Sequence, residues 1–450
     1  MKKTHSILGA GLLALATAGC PTLDTKQPYA HPTMVNKLIH LNRYFDLEGI
    51  VREKDTLYVG ASAVEMTPYT QQYLAGFDMN RKNDGVLDEL FARCIVVSYN
   101  NKTVALVSLD LVGLMNENVQ DIRSLVKSIK GNFVDDVVIA STHTHSAPDT
   151  LGLWGPSISK LPLGSGIDHR YLFFVYDKVA ESVYRAARDV KKAQLQYASK
   201  IMPANAHIAK NVRKGYEQEI DRSLVVLQFS DNAGKTIATM TNAACHPEVL
   251  GRKNKCISPD FVGEFNYTVE KNLGGVSVFF NQAIGGMITP DRLPAARQEE
   301  TLRIGRALAH EVFDSLKNAQ HCDKPSVQYL REEFKTPVEN CLFRLANNAG
   351  ITRKRDYHGS VLTEVNRIDL GDAQIITVPG EIFPNIGREI KKHMKGKANI
   401  IIGLGNDELG YIMRKDDFDK DVFSYEQMMS VGPTVGEEVI QKARVLLEKD

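Results

Sequence analysis

Apolar and polar residues form two kinds of pattern along the chain, one typical of helices and one typical of strands. Apolar residues recur at helical spacing over 171–193 and 299–316, and over the shorter segments 386–394 and 436–447, which predicts four helices. Short, mainly apolar runs predict buried strands at 57–61, 137–140, 276–280, 374–378 and 399–402. Strands and helices mixed in this way predict an α/β fold with mixed β-sheets and flanking helices.

Two pairs of strand-like runs are separated by residues that favour tight turns. Residues 93–99 and 103–108 flank an Asn-Asn pair, and asparagine tolerates the positive φ that a tight hairpin requires. A second pair of runs within 223–240 is interrupted by an Asp-Asn-Ala-Gly sequence. Each pair predicts a β-hairpin. The sequence contains no repeat, low-complexity segment or clear linker. We therefore expect residues 55–450 to form one domain.

The overall composition narrows the class of protein. Of 450 residues, 43% are hydrophobic and 24% are charged, which is typical of a globular chain and not of a disordered one. The 55 basic residues nearly balance the 54 acidic ones, so the basic excess expected of a nucleic-acid-binding protein is missing. No apolar run after residue 30 approaches the roughly 20 residues that a membrane-spanning helix needs.

The first twenty residues have the character of an export signal. Two lysines precede the apolar stretch 7–18, which ends in Thr-Ala-Gly-Cys and resembles a lipobox. We therefore expect residues 1–20 to be a lipoprotein signal peptide, Cys20 to be lipidated and 21–54 to be a tether. Pro21 in place of aspartate favours an anchor in the outer membrane, facing the periplasm or the cell surface. An ordinary signal peptide is the alternative.

The other cysteines give no clear pattern. Cys322 with Cys341, or Cys245 with Cys256, could form a disulfide in an oxidising compartment, and the sequence leaves the pairing open. No C-x-x-C pair is present. A zinc site built from thiolates is therefore not expected.

A Thr-His-Thr-His sequence directly follows the predicted strand 137–140. Side chains two residues apart on an extended segment point to the same side, so His143 and His145 could face one site. Imidazole is a good zinc ligand, and a catalytic zinc usually has three protein ligands and a water. The alternative is a pair of polar histidines in a surface turn.

Three further polar segments follow apolar strands. His246 lies in Ala-Cys-His-Pro, Glu381 in Pro-Gly-Glu, and Tyr411 ends the segment 406–411. Cys245 could be a thiol nucleophile, but neighbours on a strand point to opposite faces, so Cys245 and His246 are poorly placed as a pair. Active sites gather where loops leave a rigid sheet, and four such segments together indicate one site.

In this order, these segments resemble the N-terminal catalytic domain of the neutral/alkaline non-lysosomal ceramidases. The resemblance begins with Val-Gly-Ala at 59–61 and Met-Thr-Pro at 66–68, and it extends to Gly410-Tyr411. It implies one zinc ion held by His143, His246, Glu381 and Tyr411. It also implies that His145 contacts the zinc-bound water and acts as the general base, and that Arg213 and Tyr425 contact the substrate.

The resemblance implies a zinc-dependent hydrolase that cleaves the N-acyl linkage of ceramide or a related lipid into a fatty acid and an amine, using a zinc-activated water. Typical members carry a C-terminal immunoglobulin-like domain, which we do not expect here because the sequence ends at Asp450. The alternatives are an esterase or deacetylase acting on a non-lipid substrate, an inactive lipid-anchored binding protein, and a thiol hydrolase that uses Cys245.

Overall fold

A computed structural model describes residues 53–129, 133–159, 161–352 and 358–449. The predicted signal peptide, the lipidated Cys20 and most of the tether lie outside the described residues. Within those residues, no helix combines the length and the apolar character needed to cross a bilayer.

Strands make up most of the regular structure. In chain order the strands are β1 Leu57–Glu65, β2 Gly85–Val86, β3 Phe91–Tyr99, β4 Lys102–Leu109, β5 Asp136–Ser141, β6 Ser157–Ile158, β7 Leu161–Pro162, β8 Lys191–Ile201, β9 Ala209–Asn211, β10 Ser223–Asp231, β11 Thr236–Ala243, β12 Cys256–Ile257, β13 Val276–Asn281, β14 Ile288–Pro290, β15 Gln320–His321, β16 Val327–Pro337, β17 Ser360–Leu370, β18 Ala373–Thr377, β19 Glu381–Ile382, β20 Ala398–Ile402 and β21 Tyr411–Ile412.

Helices lie between the strands throughout the described part. The α-helices are α1 Asn116–Ser128, α2 His169–Arg188, α3 Phe261–Leu273, α4 Arg297–Leu316, α5 Cys341–Asn348, α6 Pro384–Lys391, α7 Lys415–Phe418, α8 Ser424–Met428 and α9 Val435–Glu448. Single 3-10 turns occur at Ala204–Ala206 and Asp421–Phe423.

Two mixed sheets organise the molecule. The larger sheet has nine strands in the order β13-β11-β10-β8-β1-β3-β4-β5, with β15 paired to β8. Most of its neighbours are antiparallel, but β4 with β5 and β11 with β13 are parallel. The smaller sheet has the order β16-β17-β18-β20, and β18 runs parallel to β20. The predicted α/β class with mixed sheets and flanking helices is confirmed.

The elements stack in four layers. Alternate residues of the larger sheet, such as Cys94 and Val96, pack against α1 and α2, while α3 and α4 cover the other half of the same face. The intervening residues, such as Ile95 and Val97, pack against the smaller sheet. The outer face of the smaller sheet is covered by α6 and α9. Strands buried on both faces are apolar almost throughout, which explains why the sequence shows continuous apolar runs.

Both predicted hairpins are present, and one predicted helix is too long. Strands β3 and β4 pair antiparallel across a turn in which Asn100 has a φ of 52°, and β10 pairs with β11. The helix predicted over 171–193 ends at Arg188, because the chain from Lys191 continues as β8 and pairs with β10. The alternation of β8 is obscured by its polar exposed face.

A buried ion pair fastens the helical layer to the smaller sheet. Arg123 of α1 donates from both terminal nitrogens to the two carboxylate oxygens of Glu364 on β17, each at 2.8 Å. Their side chains are 4% and 0% exposed. Arg123 also pairs with Asp136 at 3.2 Å, so removing Glu364 would leave the buried guanidinium with one acidic partner in place of two.

We expect Glu364→Ala to lower the free energy of unfolding by about 3–5 kcal/mol, measured by urea denaturation. Arg188→Ala, which removes one partner of the exposed pair with Asp189, is the control and should cost about 1 kcal/mol or less. Equal losses in the two variants would contradict a structural role for the buried pair.

Candidate metal centre

The predicted site residues follow parallel strands at one edge of the two sheets. His143 lies just after β5, His246 just after β11 and Glu381 just after β18. Each of these strands is a member of a parallel pair. Ligand sites in α/β sheets form outside the carboxyl ends of the strands, which is where these three side chains meet.

His143 occupies an unusual backbone conformation. Strand β5 ends at Ser141, and His143 has a φ of 71°, in the left-handed region that non-glycine residues seldom adopt. Its Nδ1–H donates to the carbonyl oxygen of Val112 at 2.6 Å. The prediction that His143 and His145 face one side is right, with ring centroids 5.0 Å apart, but the cause is this left-handed turn and not an extended segment.

The His143 and His246 rings converge on one carboxylate oxygen. Nε2 of His246 lies 2.8 Å from Oε2 of Glu381, and Nε2 of His143 lies 3.5 Å from the same oxygen. Nδ1–H of His246 donates to the carbonyl oxygen of Ile288 at 2.8 Å. All three side chains are buried. Two imidazole Nε2 atoms and one carboxylate therefore face a common point.

Tyr411 is brought to Glu381 by strand pairing. The short strands β19 and β21 are parallel, and Glu381 is the direct register partner of Tyr411. Partners in register project to the same face of a sheet, and the buried Glu381 carboxylate adds to the desolvation that raises the pKa of Tyr411. The Tyr411 hydroxyl also lies 3.5 Å from Sδ of Met287. A phenol thus joins the carboxylate at the same point.

Burial and charge act in opposite directions on these groups. Burial raises the pKa of Glu381, but the nearby His143 and the hydrogen bond from His246 outweigh it, so its pKa lies below the ordinary value. Burial lowers the pKa of His246, but the Glu381 carboxylate outweighs it and raises that pKa to about 8. For His143 burial dominates, and its pKa is lowered. The centre is built to hold a negative carboxylate among cationic or metal-bound partners.

His145 completes a group of three buried histidines. The ligand atoms of His143, His145 and His246 lie within 4.8 Å of one another, close enough to share one metal ion. Burial, followed by the neighbouring histidines and Arg81, lowers the pKa of His145 well below its ordinary value. Neither ring nitrogen of His145 has a hydrogen-bond partner among the described residues. His145 is therefore a neutral, desolvated imidazole beside the other two.

The donor atoms fit a metal ion such as zinc. Metal-binding histidines commonly donate the other ring N–H to a carbonyl or carboxylate, which fixes the ring, and His143 and His246 both do so through Nδ1. Two imidazole nitrogens with a carboxylate and a phenol form a donor set of the kind zinc accepts. The structure thus brings together the four predicted ligands His143, His246, Glu381 and Tyr411, with the predicted base His145 beside them.

The two predicted substrate contacts lie further out. The Tyr425 ring centroid is 5.9 Å from that of Tyr411, and the side chain is 42% exposed. Burial and the carboxylates of Glu381 and Glu248 raise the pKa of Tyr425 to about 12. Arg213 donates from Nε to the buried carboxylate of Glu426 at 2.7 Å. Arg213 thus lies close to Tyr425 and is held there by Glu426.

The cysteines form neither a disulfide nor a catalytic pair in the described part of the chain. All five are free thiols, so neither of the two pairings left open by the sequence is present. Cys245 is fully buried, and desolvation raises the pKa of its thiol well above the ordinary value. Its Sγ contacts the carbonyl oxygen of Ile208 instead of an imidazole. A thiol nucleophile at Cys245 is not supported.

Several residues around the site were not found from the sequence. Val112 and Ile288 act through backbone carbonyls, which leave no trace in side-chain identity. Glu248 approaches His145, with Oε2 3.5 Å from Nδ1. Its position two residues after His246 was the one available signal. Gly76 packs against the His145 ring.

Gly76 has both a positive φ of 95° and no room for a side chain, because a Cβ there would lie 2.2 Å from Cγ of His145. We expect Gly76→Ala to displace the His145 ring, to lower the free energy of unfolding by about 1–2 kcal/mol and to leave bound metal in place. Metal analysis and urea denaturation measure these effects.

Gly234→Ala is the matched control, since Gly234 has a similar φ of 79° and open space around it. It should show the backbone cost without the displaced ring. The hydrolytic rate should fall in Gly76→Ala alone, and a rate unchanged from Gly234→Ala would show that the His145 position is not critical.

Comparisons with known proteins agree with this fold. Residues 57–297 match the family model for neutral/alkaline non-lysosomal ceramidase, N-terminal. The neutral ceramidase of Pseudomonas aeruginosa is 25% identical over 228 residues, which cover 47% of this chain and 33% of that protein. The neutral ceramidase of Drosophila melanogaster is 24% identical over 245 residues, covering 50% and 33%. The matched segment thus spans about a third of the length of these relatives.

The fold extends beyond the matched segment. The crystal structure of the neutral ceramidase from Pseudomonas aeruginosa superimposes with a TM-score of 0.73 at 16% identity, covering 88% of this chain and 75% of that one. The superposition therefore includes elements after residue 297, where Glu381 and Tyr411 lie. The family model covers more than half of the sequence. The chain belongs to the neutral/alkaline non-lysosomal ceramidase family.

Proposed function

We propose that this protein is a zinc-dependent hydrolase that cleaves the amide bond of an N-acyl lipid, ceramide or a close relative, into a fatty acid and an amine. Membership of the ceramidase family supports the substrate class. The observation that carries the proposal is the convergence of His143 and His246 on one oxygen of Glu381.

The proposed zinc ligands are His143, His246, Glu381 and Tyr411. When bound, the ion supplies Lewis-acid chemistry, acidifying a water and polarising the substrate carbonyl. The chain contributes the fixed geometry: both Nδ1–H groups are held by backbone carbonyls, so both Nε2 lone pairs face inwards. The carboxylate is placed beside Tyr411 by the pairing of β19 with β21.

His145 is the proposed general base. It is neutral, buried and without a hydrogen-bond partner among the described residues, so a lone pair is available for a proton from the attacking water. After the tetrahedral intermediate forms, the same imidazole can return that proton to the leaving nitrogen, which departs as the amine. His145 touches the reacting atoms in this scheme and does not hold the ion.

Tyr425 is the proposed donor to the oxyanion. With its pKa raised to about 12, its hydroxyl keeps its proton at neutral pH and can donate a hydrogen bond. A preorganised donor of this kind contributes on the order of 100-fold or more in rate. Arg213, held by Glu426 next to Tyr425, adds positive charge at the rim. Anchoring through a lipidated Cys20 would place this rim close to a membrane that contains such lipids.

The proposal is tested with purified full-length protein on a panel of substrates: a fluorescent ceramide, short N-acyl amides and matched esters. We expect release of fatty acid from the ceramide, loss of the activity in a chelator and recovery with zinc. Hydrolysis of the esters alone would show that the substrates are esters and not N-acyl amides. Activity that resists the chelator would contradict the metal mechanism.

Substitutions separate the ligands from the base. We expect His143→Ala and Glu381→Ala to lose bound zinc, since each removes one of the four proposed ligands. His145→Ala should retain zinc and lose hydrolytic rate by on the order of 100-fold or more. Zinc content by elemental analysis and kcat measure the two effects.

The matched control is His393→Ala, a half-exposed histidine on the outer layer that contacts Glu389. It should keep both zinc and rate. Loss of zinc in His145→Ala would instead make His145 a ligand, consistent with the close approach of all three histidines. Full zinc in both ligand variants would exclude the site.

A further inference from the structure

The three histidines of the centre differ in what faces their Nδ1 atoms. Nδ1–H of His143 and of His246 donates to a neutral backbone carbonyl, at 2.6 and 2.8 Å. Nδ1 of His145 makes no hydrogen bond in the structure and instead faces a carboxylate at ion-pair distance, with Oε2 of Glu248 at 3.5 Å. A carbonyl fixes a ring without strongly favouring its charged form, whereas a carboxylate also stabilises an imidazolium.

From this contrast we infer that Glu248 is a positioning residue for the general base: it holds His145 with the proton on Nδ1 and stabilises the ring after Nε2 has accepted a proton. The inference rests on the proposed function and deepens it. It also explains why three neighbouring histidines can have two different roles, two as ligands and one as a base.

Glu248 is held in place for such a role. The carboxylate is only 13% exposed. Its peptide N–H donates to the carbonyl oxygen of His246 at 2.9 Å, while the peptide N–H of His145 donates to the carbonyl oxygen of Pro247 at 3.0 Å. The turn after His246 therefore fixes both the base and the carboxylate behind it.

The proton balance follows from the tautomer. With Nδ1–H directed to Glu248, the lone pair of His145 is on Nε2, which takes one proton from water as the carbonyl carbon is attacked. The ring is then a cation beside the Glu248 anion. The proton passes from Nε2 to the leaving nitrogen as the C–N bond breaks, and His145 returns to the Nδ1–H form. Glu248 itself neither gains nor loses a proton.

The test compares Glu248→Gln and Glu248→Asp with wild-type protein loaded with zinc. We expect Glu248→Gln to lower kcat on the order of 10- to 100-fold, with KM and zinc content within twofold of wild type. Glu248→Asp keeps the charge on a shorter side chain and should recover part of the rate. A wild-type kcat in Glu248→Gln would overturn the inference, as would loss of zinc, which would make Glu248 a ligand.

Glu270→Gln is the matched control. Glu270 pairs with Arg93 and accepts from the peptide N–H of Ser277 at the start of β13, which is the opposite end of the parallel strands from the site. It loses a comparable carboxylate charge and should keep the wild-type kcat. A matching loss of kcat in this variant would show that the effect of Glu248→Gln is not local.

A second measurement does not depend on activity. In protein labelled with ¹⁵N-histidine, we expect the His145 ring in the Nδ1–H form, assigned by the loss of its signals in His145→Asn. In Glu248→Ala that form should no longer dominate. Observing the Nε2–H form in wild-type protein would overturn the inference. If wild-type protein cleaves no substrate in the panel, the proposed function fails, while the spectrum still decides the Glu248 contact.

Discussion

The arrangement of the two sheets depends on one carboxylate oxygen, Oε2 of Glu381, which two histidines contact. His143 and His246 reach Oε2 of Glu381 from strand ends that belong to different parts of the larger sheet, while Glu381 itself follows a strand of the smaller sheet. Burying one carboxylate and two imidazoles is costly unless each satisfies the others. The contact can exist only if both sheets are packed in one fixed relation, and the layered core provides that relation.

Other contacts help to keep the side chains of the site in this fixed arrangement. Backbone carbonyls hold the outer nitrogens of both converging rings, and the parallel pairing of β19 with β21 sets Tyr411 beside Glu381. The buried pair of Arg123 and Glu364 joins the helical layer to the smaller sheet. Short loops on a rigid framework can thus hold polar side chains that would not remain together on a mobile surface.

Much of the fold could be predicted from the sequence because many strands are buried on both faces. Runs such as 276–280 and 399–402 are apolar apart from Ser277 and Asn399, and polar residues just beyond such runs indicated the site. Strand β17 was not predicted, because its apolar pattern is interrupted by buried polar residues such as Glu364, whose partner Arg123 lies far away in the chain. Local patterns do not reveal long-range pairing of this kind.

The sequence indicated which residues belong to the candidate site, but it indicated much less about how those residues are arranged. A histidine in Thr-His-Thr-His and a glutamate after Pro-Gly could be recognised by type, and the resemblance to the family supplied the set. The left-handed backbone of His143 could not be recognised, since histidine has no intrinsic need for it and tertiary contacts impose it. The approach of Glu248 to His145 depends on how the turn after His246 folds, and the position of Glu248 two residues after His246 does not reveal that fold.

The position of the donors along the chain has a consequence for assembly. Both imidazoles lie within residues 57–297, whereas the carboxylate of Glu381 and the phenol of Tyr411 are contributed from beyond that segment. An intermediate in which only the larger sheet has formed would present nitrogen donors alone and would hold a cation weakly. A cation held as proposed would be captured tightly only once the smaller sheet has docked, so its binding would favour the finished molecule over every earlier state.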